Sequence, residues 1–310
     1  MGKVDTVTKK YMRQNDRFAD ICNFYLYDGE SVIKAEDLVE KDVTELLSFN
    51  DKKNKMVSVQ KLRDILKGCV VKTFKGISYM IIGIENQTDV NYAMVIRNMV
   101  YDALNYSAQV DEYVKRHKME RDLSGVGYLS GFAKQDKLIP VITITVYWNS
   151  GSWDGLRSLH EMLDVEDKEL LEYVPDYWLN LIVPKEIKDF DKFRTELGSV
   201  FNFIACADNR DKFENEFLSK NNVVLSNEAI DVLNACVNAE FKLSEEVESN
   251  VCKAIQDIRE DERNIGREEG EERLAKLVKI LTENNRHKDL VNMLTDKQLR
   301  ECLYKEYNFI

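Results

Sequence analysis

The sequence predicts an α/β protein in which a mixed sheet is flanked by helices and is followed by an all-helical C-terminal region. Three patterns predict this class. In residues 69–85, two apolar runs of strand length are separated by Lys75-Gly76, which is typical of a β-hairpin. Residues 90–117 carry apolar positions at a helical period without internal Pro or Gly, and "LIPVITITVYW" (138–148) alternates as a strand does. A sheet that carries helices on its faces follows from this order of elements.

The remaining elements of this part of the chain follow from local signals. Residues 17–38 begin with a helical pattern that should end near the turn dipeptide Asp28-Gly29. The run 79–84 is almost continuously apolar, so it should lie in the middle of the sheet with both faces covered. Residues 177–183 predict a further strand. The glycine-rich segment "SGVGYLSGF" (124–132) is interpreted as a loop.

From about Phe190 the strand patterns disappear and charged helical periodicity takes over. The sequence therefore predicts two domains, residues 1–205 with the sheet and residues 206–310 as an acidic helical region. A long acid-rich helix, interrupted by Gly266 and Gly270, should precede a terminal helical hairpin. Such a helix offers a surface for a partner, and we expect it to pair two subunits in a homodimer.

Composition sets limits on the class of protein. The 310 residues are 44% hydrophobic, enough for one good core. No charge-poor apolar segment has the roughly 20 residues of a membrane-spanning helix, and the first residues lack the apolar block of a secretory signal. The six cysteines are scattered without a CxxC pair, as expected of reduced thiols. These features predict a cytoplasmic protein that does not bind membranes.

The formal net charge of -11 argues against a surface that is basic overall, so affinity for nucleic acid requires a local patch. Residues 52–75 provide such a patch, with eight cations against the single acid Asp64. The cations are Lys52, Lys53, Lys55, Lys61, Arg63, Lys67, Lys72 and Lys75. An isolated run of this kind is more commonly a solvated face.

Glu85 poses the main chemical question, because a carboxylate at the end of a buried strand is costly unless it binds a cation, a proton or hydrogen-bond donors. If residues 64–74 pair antiparallel with residues 77–85, Asp64 comes near Glu85 at one end of the sheet. Two carboxylates with a backbone carbonyl between them suit Mg²⁺. The alternatives are an ion pair of Glu85 with Arg97 or Arg63 and a surface or capping role for Asp64.

Four segments together carry a resemblance to a known family. In chain order they are "LRDIL", "IGIENQT", "MVIRNMVYDALNYSAQ" and "PVITITVYWNSGSWDGLRSLHEML". They resemble the recombination-promoting nuclease (Rpn) family of transposase-like proteins, in the PD-(D/E)XK nuclease superfamily. The match covers roughly residues 15–205. The resemblance implies a PD-(D/E)XK-like sheet domain.

The resemblance also implies roles for individual residues. Asp64 and Glu85 would be the metal-binding acids, with the Asn86 carbonyl as a third ligand. Gln87 would be a catalytic residue in the place of the superfamily's lysine, which polarises the attacking water. An amide supplies no positive charge, so Lys72 or Lys61 is a candidate substitute for that lysine. The implied cofactor is Mg²⁺, with Mn²⁺ or Ca²⁺ as alternatives. The implied DNA-binding residues are Lys61, Arg63, Lys72, Arg97, Tyr106 and Gln109.

On the predicted long helix, Asp102, Tyr106 and Gln109 share one face, with Arg97 and Tyr101 nearby. The two tyrosines could equally be packing residues. The three histidines, His117, His160 and His287, lie apart in sequence and are given no catalytic role.

The resulting functional hypothesis is a metal-dependent DNA endonuclease that hydrolyses phosphodiester bonds, with a role in mobile elements or phage defence. The alternative is a nuclease-fold protein that has lost catalysis and serves as a binding or scaffold module. Gln87 in place of lysine and the acidic net charge favour that alternative. Transposition has less support, since the chain shows no recognisable helix-turn-helix or zinc module.

Overall fold

A computed structural model describes residues 2–41, 64–73, 76–220, 223–237, 239, 241, 248–307 and 309. The chain forms two compact units, Met1–Ser249 and Asn250–Ile310. The sequence had placed the domain boundary near residue 205. The structure divides the chain farther along, after the helix Asn227–Val237, which packs on the helix Lys3–Met12.

The first unit is built on a five-stranded mixed sheet with the strand order β1-β2-β3-β4-β5. The strands are β1 (Leu38–Glu40), β2 (Ile65–Thr73), β3 (Gly76–Gln87), β4 (Val141–Tyr147) and β5 (Asn180–Ile182). The first three run antiparallel, whereas β4 is parallel to β3 and β5 is parallel to β4. This arrangement confirms the predicted α/β class, the β2–β3 hairpin and the central position of β3.

Helices flank this sheet. In the first unit they are α1 (Lys3–Met12), α2 (Asn15–Tyr27), α3 (Met94–Glu120), α4 (Gly125–Ser130), α5 (Leu159–Met162), α6 (Leu197–Cys206), α7 (Arg210–Lys212) and α8 (Asn227–Val237). As predicted, α2 ends at Asp28, which has a left-handed backbone with φ of 55°. The prediction of a loop at 124–132 was wrong, because α4 forms there and ends at Gly131, where φ is 68°.

The two faces of the sheet carry different helices. Trp148, which follows β4, is buried and packs against Tyr11 of α1 and Phe201 of α6. On the other side, Tyr147 belongs to an apolar cluster with Met94 of α3. Since successive side chains of a strand point to opposite faces, α1 and α6 cover one face and α3 covers the other.

An ion-pair network ties α8 into the first unit. The Arg17 guanidinium of α2 lies 2.8 Å from the Glu196 carboxylate, at the start of α6, and 2.9 Å from the Glu228 carboxylate of α8. Arg17 is itself buried. Contacts between residues 179 and 211 positions apart in sequence cannot be read from local periodicity, which explains the displaced boundary.

The prediction of an all-helical region after residue 205 was also wrong in one respect. Two short strands, β6 (Val224–Ser226) and β7 (Glu248–Asn250), form a two-stranded sheet. The helices predicted for the end of the chain form in the second unit as α9 (Val251–Glu283), α10 (His287–Thr295) and α11 (Lys297–Glu306).

The second unit has its own small core. Leu277 and Leu281 of α9, Met293 of α10 and Leu303 of α11 are fully buried against one another. The terminal helical hairpin is thus confirmed, and it packs on the last turns of α9. Within the described part of the chain, no helix has an apolar segment long enough to cross a membrane.

Candidate metal centre

Asp64 and Glu85 lie side by side at the end of the β2–β3 hairpin. The register pairs Ile65 with Ile84, so the residue before β2 comes opposite Glu85. The Asp64 backbone N–H donates to Glu85 Oε1 at 3.3 Å, and the Asn86 backbone N–H donates to Asp64 Oδ2 at 2.8 Å. The expected approach of the two acids is therefore present in the structure.

Both acids are shielded from solvent. The Glu85 side chain is 0% exposed and that of Asp64 is 11% exposed. Burial raises the pKa of Asp64 above its usual value, and the hydrogen bond from the Asn86 N–H opposes this rise. Holding two carboxylates together in this environment favours a cation nearby.

Two basic side chains supply that cation in the structure. Arg97 of α3 places Nη2 3.0 Å from Glu85 Oε2 and donates through Nε to the Tyr101 hydroxyl at 3.0 Å. Lys9 of α1 places Nζ 3.8 Å from Asp64 Oδ1. The ion pair of Glu85 with Arg97, which the sequence left as an alternative to metal binding, is thus formed.

Asn86 and Gln87 complete the end of β3. The Asn86 side chain accepts from Trp148 Nε1 through Oδ1 at 2.7 Å, and its Nδ2 lies 3.5 Å from Asp64 Oδ2. Its backbone N–H points towards Asp64, and the N–H and C=O of one strand residue point the same way, so its carbonyl also points to the Asp64 side. Gln87 lies two residues after Glu85 and its side chain shares the Glu85 face.

The donor set has the chemistry that Mg²⁺ requires. Asp64 and Glu85 offer carboxylate oxygens, and Asn86 offers a main-chain carbonyl on the same side, all of them hard ligands. Arg97 and Lys9 neutralise the same charges that a divalent ion would neutralise. A metal ion at Glu85 Oε2 would therefore have to displace the Arg97 guanidinium.

Beyond Glu85, further polar side chains form hydrogen bonds between α3 and the sheet. Asn98 Nδ2 donates to Thr145 Oγ1 of β4 at 2.9 Å. The Asp102 carboxylate accepts from the hydroxyls of Thr143 and Tyr177, each at 2.6 Å. Because these groups hydrogen-bond one another, they fix the rotation of α3 and with it the position of Arg97.

Tyr106 and Gln109 use their polar atoms on the backbone. The Tyr106 hydroxyl accepts from the Val141 N–H at 3.0 Å. The Gln109 amide both donates to the Ile139 carbonyl at 3.1 Å and accepts from the Ile139 N–H at 2.7 Å. In the structure both side chains hydrogen-bond the backbone at the start of β4. Their contact with DNA stays a prediction.

The basic run 52–75 is only partly described. Lys61 and Arg63 lie outside the described residues. Lys72 pairs with Ile77 near the hairpin turn, about 26 Å along β2 from Asp64 at the rise of an extended strand. It is too far to act as a substitute lysine beside the acids, although a contact of Lys72 with DNA elsewhere stays a prediction.

Lys67 does not belong to the predicted surface patch. Its side chain is buried, and Nζ donates to the Arg13 carbonyl and to Asn15 Oδ1, each at 2.5 Å. The ammonium also lies 4.8 Å from the centre of the Phe18 ring. Lys67 thus joins β2 to the turn between α1 and α2.

A cluster around His117 is not evident from the separate positions of the histidines in the sequence, which predicted no role for them. His117 is buried at the end of α3 between the carboxylates of Asp122 and Asp136. The spacing of His117, Glu120 and Asp122 at the end of a helix is the signal that could have revealed it.

In comparisons with known proteins, no family model, no curated protein and no solved structure matches this chain.

The burial of Asp64 leads to a prediction about stability and pH. Its pKa is raised in the folded protein, so the folded state binds more protons than the unfolded state just above the ordinary carboxyl value of 3.8. In the wild type, the contribution of Asp64 to the free energy of unfolding should fall as pH rises through that window. An asparagine at this position does not titrate, so the free energy of unfolding of Asp64→Asn, measured relative to wild type, should increase from pH 4 to pH 7.

Urea unfolding across this pH range measures the difference. Asp111→Asn, at an exposed position of α3, is the matched control for the change in net charge. A relative stability of Asp64→Asn that falls with rising pH would contradict the assignment.

Proposed function

We propose that this protein is a metal-dependent DNA endonuclease that hydrolyses phosphodiester bonds. The observation that carries the proposal is the juxtaposition of Asp64 and Glu85 at the end of β2 and β3, where the Asp64 N–H donates to Glu85 and the Asn86 N–H donates to Asp64. A structural protein gains little from two shielded carboxylates at one strand end, since their charges repel. The resemblance to the Rpn family supports the same pair of acids.

Asp64, Glu85 and the Asn86 carbonyl would hold the cofactor, for which Mg²⁺ is the best-suited ion. When bound there, a divalent ion activates water and offsets charge on the phosphoryl group. Gln87, on the Glu85 face of β3, can orient that water through its amide. Released from Glu85, the Arg97 guanidinium is free to bind a phosphate oxygen, which suits its planar set of donors.

Lys9 provides the positive charge that Gln87 lacks. Its Nζ lies 3.8 Å from Asp64 Oδ1 and its side chain is 26% exposed, so a partly solvated ammonium lies beside this acid. A lysine there can polarise the attacking water or contact the scissile phosphate. We therefore propose Lys9, rather than Lys72, as the cation of the site.

The test is cleavage of supercoiled plasmid DNA by the purified full chain with Mg²⁺, Mn²⁺ or a chelator. We expect nicking that needs the metal ion. Lys9→Gln should lower the nicking rate roughly 10²-fold, the usual contribution of a positioned general acid or base. Lys10→Gln is the matched control, because Lys10 is exposed and lies 4.0 Å from Glu228 instead.

Equal rates for Lys9→Gln and Lys10→Gln would remove Lys9 from the mechanism. Wild-type cleavage that is indifferent to chelator would count against the whole proposal.

The second candidate function is a binding or scaffold module with a dormant site. The 3.0 Å contact between Arg97 and Glu85 favours it, because an internal cation already satisfies the acid. Metal affinity separates the two candidates: the dormant module should bind neither Mg²⁺ nor Mn²⁺, as calorimetry would show.

Dimerisation through the C-terminal helices stays a proposal. On α10, Val291 and Leu294 are exposed large apolar side chains, which suit a partner helix. A monomeric mass in light scattering would count against it. The cytoplasmic location likewise stays a prediction.

A further inference from the structure

His117 is held in an arrangement that a neutral imidazole cannot satisfy. Its Nδ1 lies 2.8 Å and 2.9 Å from the two carboxylate oxygens of Asp122, and its Nε2 lies 2.9 Å from Asp136 Oδ2. A neutral imidazole has one N–H, so it can donate to only one of these carboxylates. The other contact requires a cation on the ring nitrogen, either a second proton or a metal ion.

Asp136 is held in place by contacts of its own. Asp136 is fixed by the Ala133 backbone N–H at 2.7 Å and by Arg116 Nη2 at 3.5 Å. An Nε2–H donated to this oriented carboxylate leaves the lone pair of Nδ1 facing Asp122. A histidine that donates one N–H to a carboxylate and offers its other nitrogen is the usual form of a metal ligand.

Glu120 adds a third donor. One ligand atom each from His117, Glu120 and Asp122 can be chosen so that all lie within 4.8 Å of one another. His117 also lines a cavity of about 500 Å³. Two cations, Lys118 and Arg121, line the same cavity and limit the net negative charge of the cluster.

We infer that His117, Glu120 and Asp122 form a binding site for a divalent transition-metal ion, with Zn²⁺ the best suited to one imidazole and two carboxylates. Asp136 orients the imidazole through its contact with Nε2. The metal would tie the last turn of α3 to the residues that follow it. The site is about 30 Å along α3 from Arg97, since 20 helical residues separate Arg97 from His117.

The test is a titration of the chelator-treated full chain with ZnCl₂ by calorimetry, with the His117 imidazole followed by NMR. We expect Zn²⁺ to shift the imidazole resonances and Glu120→Gln to weaken this site about tenfold or more. Glu112→Gln, also an exposed glutamate of α3, should bind as wild type does. The imidazole signal is needed because the exposed thiol of Cys302 can also bind zinc.

Glu120 is exposed and can be replaced without disturbing the core, so the test does not depend on a variant at buried His117. His117 resonances that respond to pH but not to Zn²⁺ would overturn the inference and leave a doubly hydrogen-bonded imidazolium. Equal zinc affinity in Glu120→Gln and Glu112→Gln would overturn it as well. Neither outcome depends on plasmid cleavage, so this inference and the proposed nuclease activity fail separately.

Discussion

Replacing Glu85 by glutamine should lower metal-dependent plasmid nicking by roughly 10²-fold or more, because the change removes a charged ligand of the proposed site. Glutamine has nearly the same shape and retains an oxygen that can accept from the Asp64 N–H, which Glu85 Oε1 now accepts at 3.3 Å. The fold should survive, because the Arg97 guanidinium that loses its partner is 26% exposed and can be hydrated. The measurement is the initial nicking rate with Mg²⁺ and with Mn²⁺, beside circular dichroism of each variant.

Asp64→Asn should behave in the same way, since Asp64 is the other carboxylate of the pair. Asp89→Asn is the matched control, because this exposed carboxylate follows the end of β3 but is absent from the contacts of the site. Nicking that persists equally in all three variants points to a contaminating nuclease and leaves the dormant module as the better description. Loss in Glu85→Gln and Asp64→Asn, with retention in Asp89→Asn, supports the two acids together.

The position of these acids could be predicted from sequence because it depends on local pattern. The apolar runs and the turn between them specify the hairpin, and the register of a hairpin follows from its turn. Once Thr73 pairs with Gly76, Ile65 must pair with Ile84, and Asp64 falls beside Glu85. The length and direction of α3 likewise follow from an uninterrupted helical period.

The groups that neutralise the acids could not be predicted with the same certainty. Lys9 reaches Asp64 from a helix 55 residues earlier in the chain, and that approach depends on how α1 packs on the sheet. The sequence offered Arg97 and Arg63 as equivalent partners for Glu85; only tertiary structure shows that Arg97 is in contact. The burial of Lys67 was missed for the same reason, since a run of lysines looks alike whether solvated or enclosed.

Replacing Arg97 by methionine should destabilise the protein by about 3–5 kcal/mol, the usual cost of removing one partner of a buried ion pair. Glu85 is fully buried, and Arg97 lies 3.0 Å from it. Methionine keeps much of the length of the side chain but loses the charge that offsets the carboxylate. Chemical denaturation at neutral pH measures the loss.

The double variant Glu85→Gln/Arg97→Met separates charge from packing. If the ion pair explains the loss, removing the carboxylate as well should recover most of the stability, because no uncompensated charge is left in the interior. Arg116→Met is the matched control, since Arg116 lies on the same helix and is 48% exposed. A loss in Arg97→Met that the second substitution does not relieve would assign Arg97 a packing role instead.

The Arg97→Met variant also tests the metal site directly. With the guanidinium gone, a divalent ion can supply the positive charge that Arg97 gave Glu85, so millimolar Mn²⁺ should stabilise Arg97→Met more than it stabilises wild type. The same addition should have little effect on the double variant, which lacks the carboxylate. If Mn²⁺ stabilises none of the three proteins, Glu85 does not bind the metal ion, and the nuclease proposal loses its metal ligand.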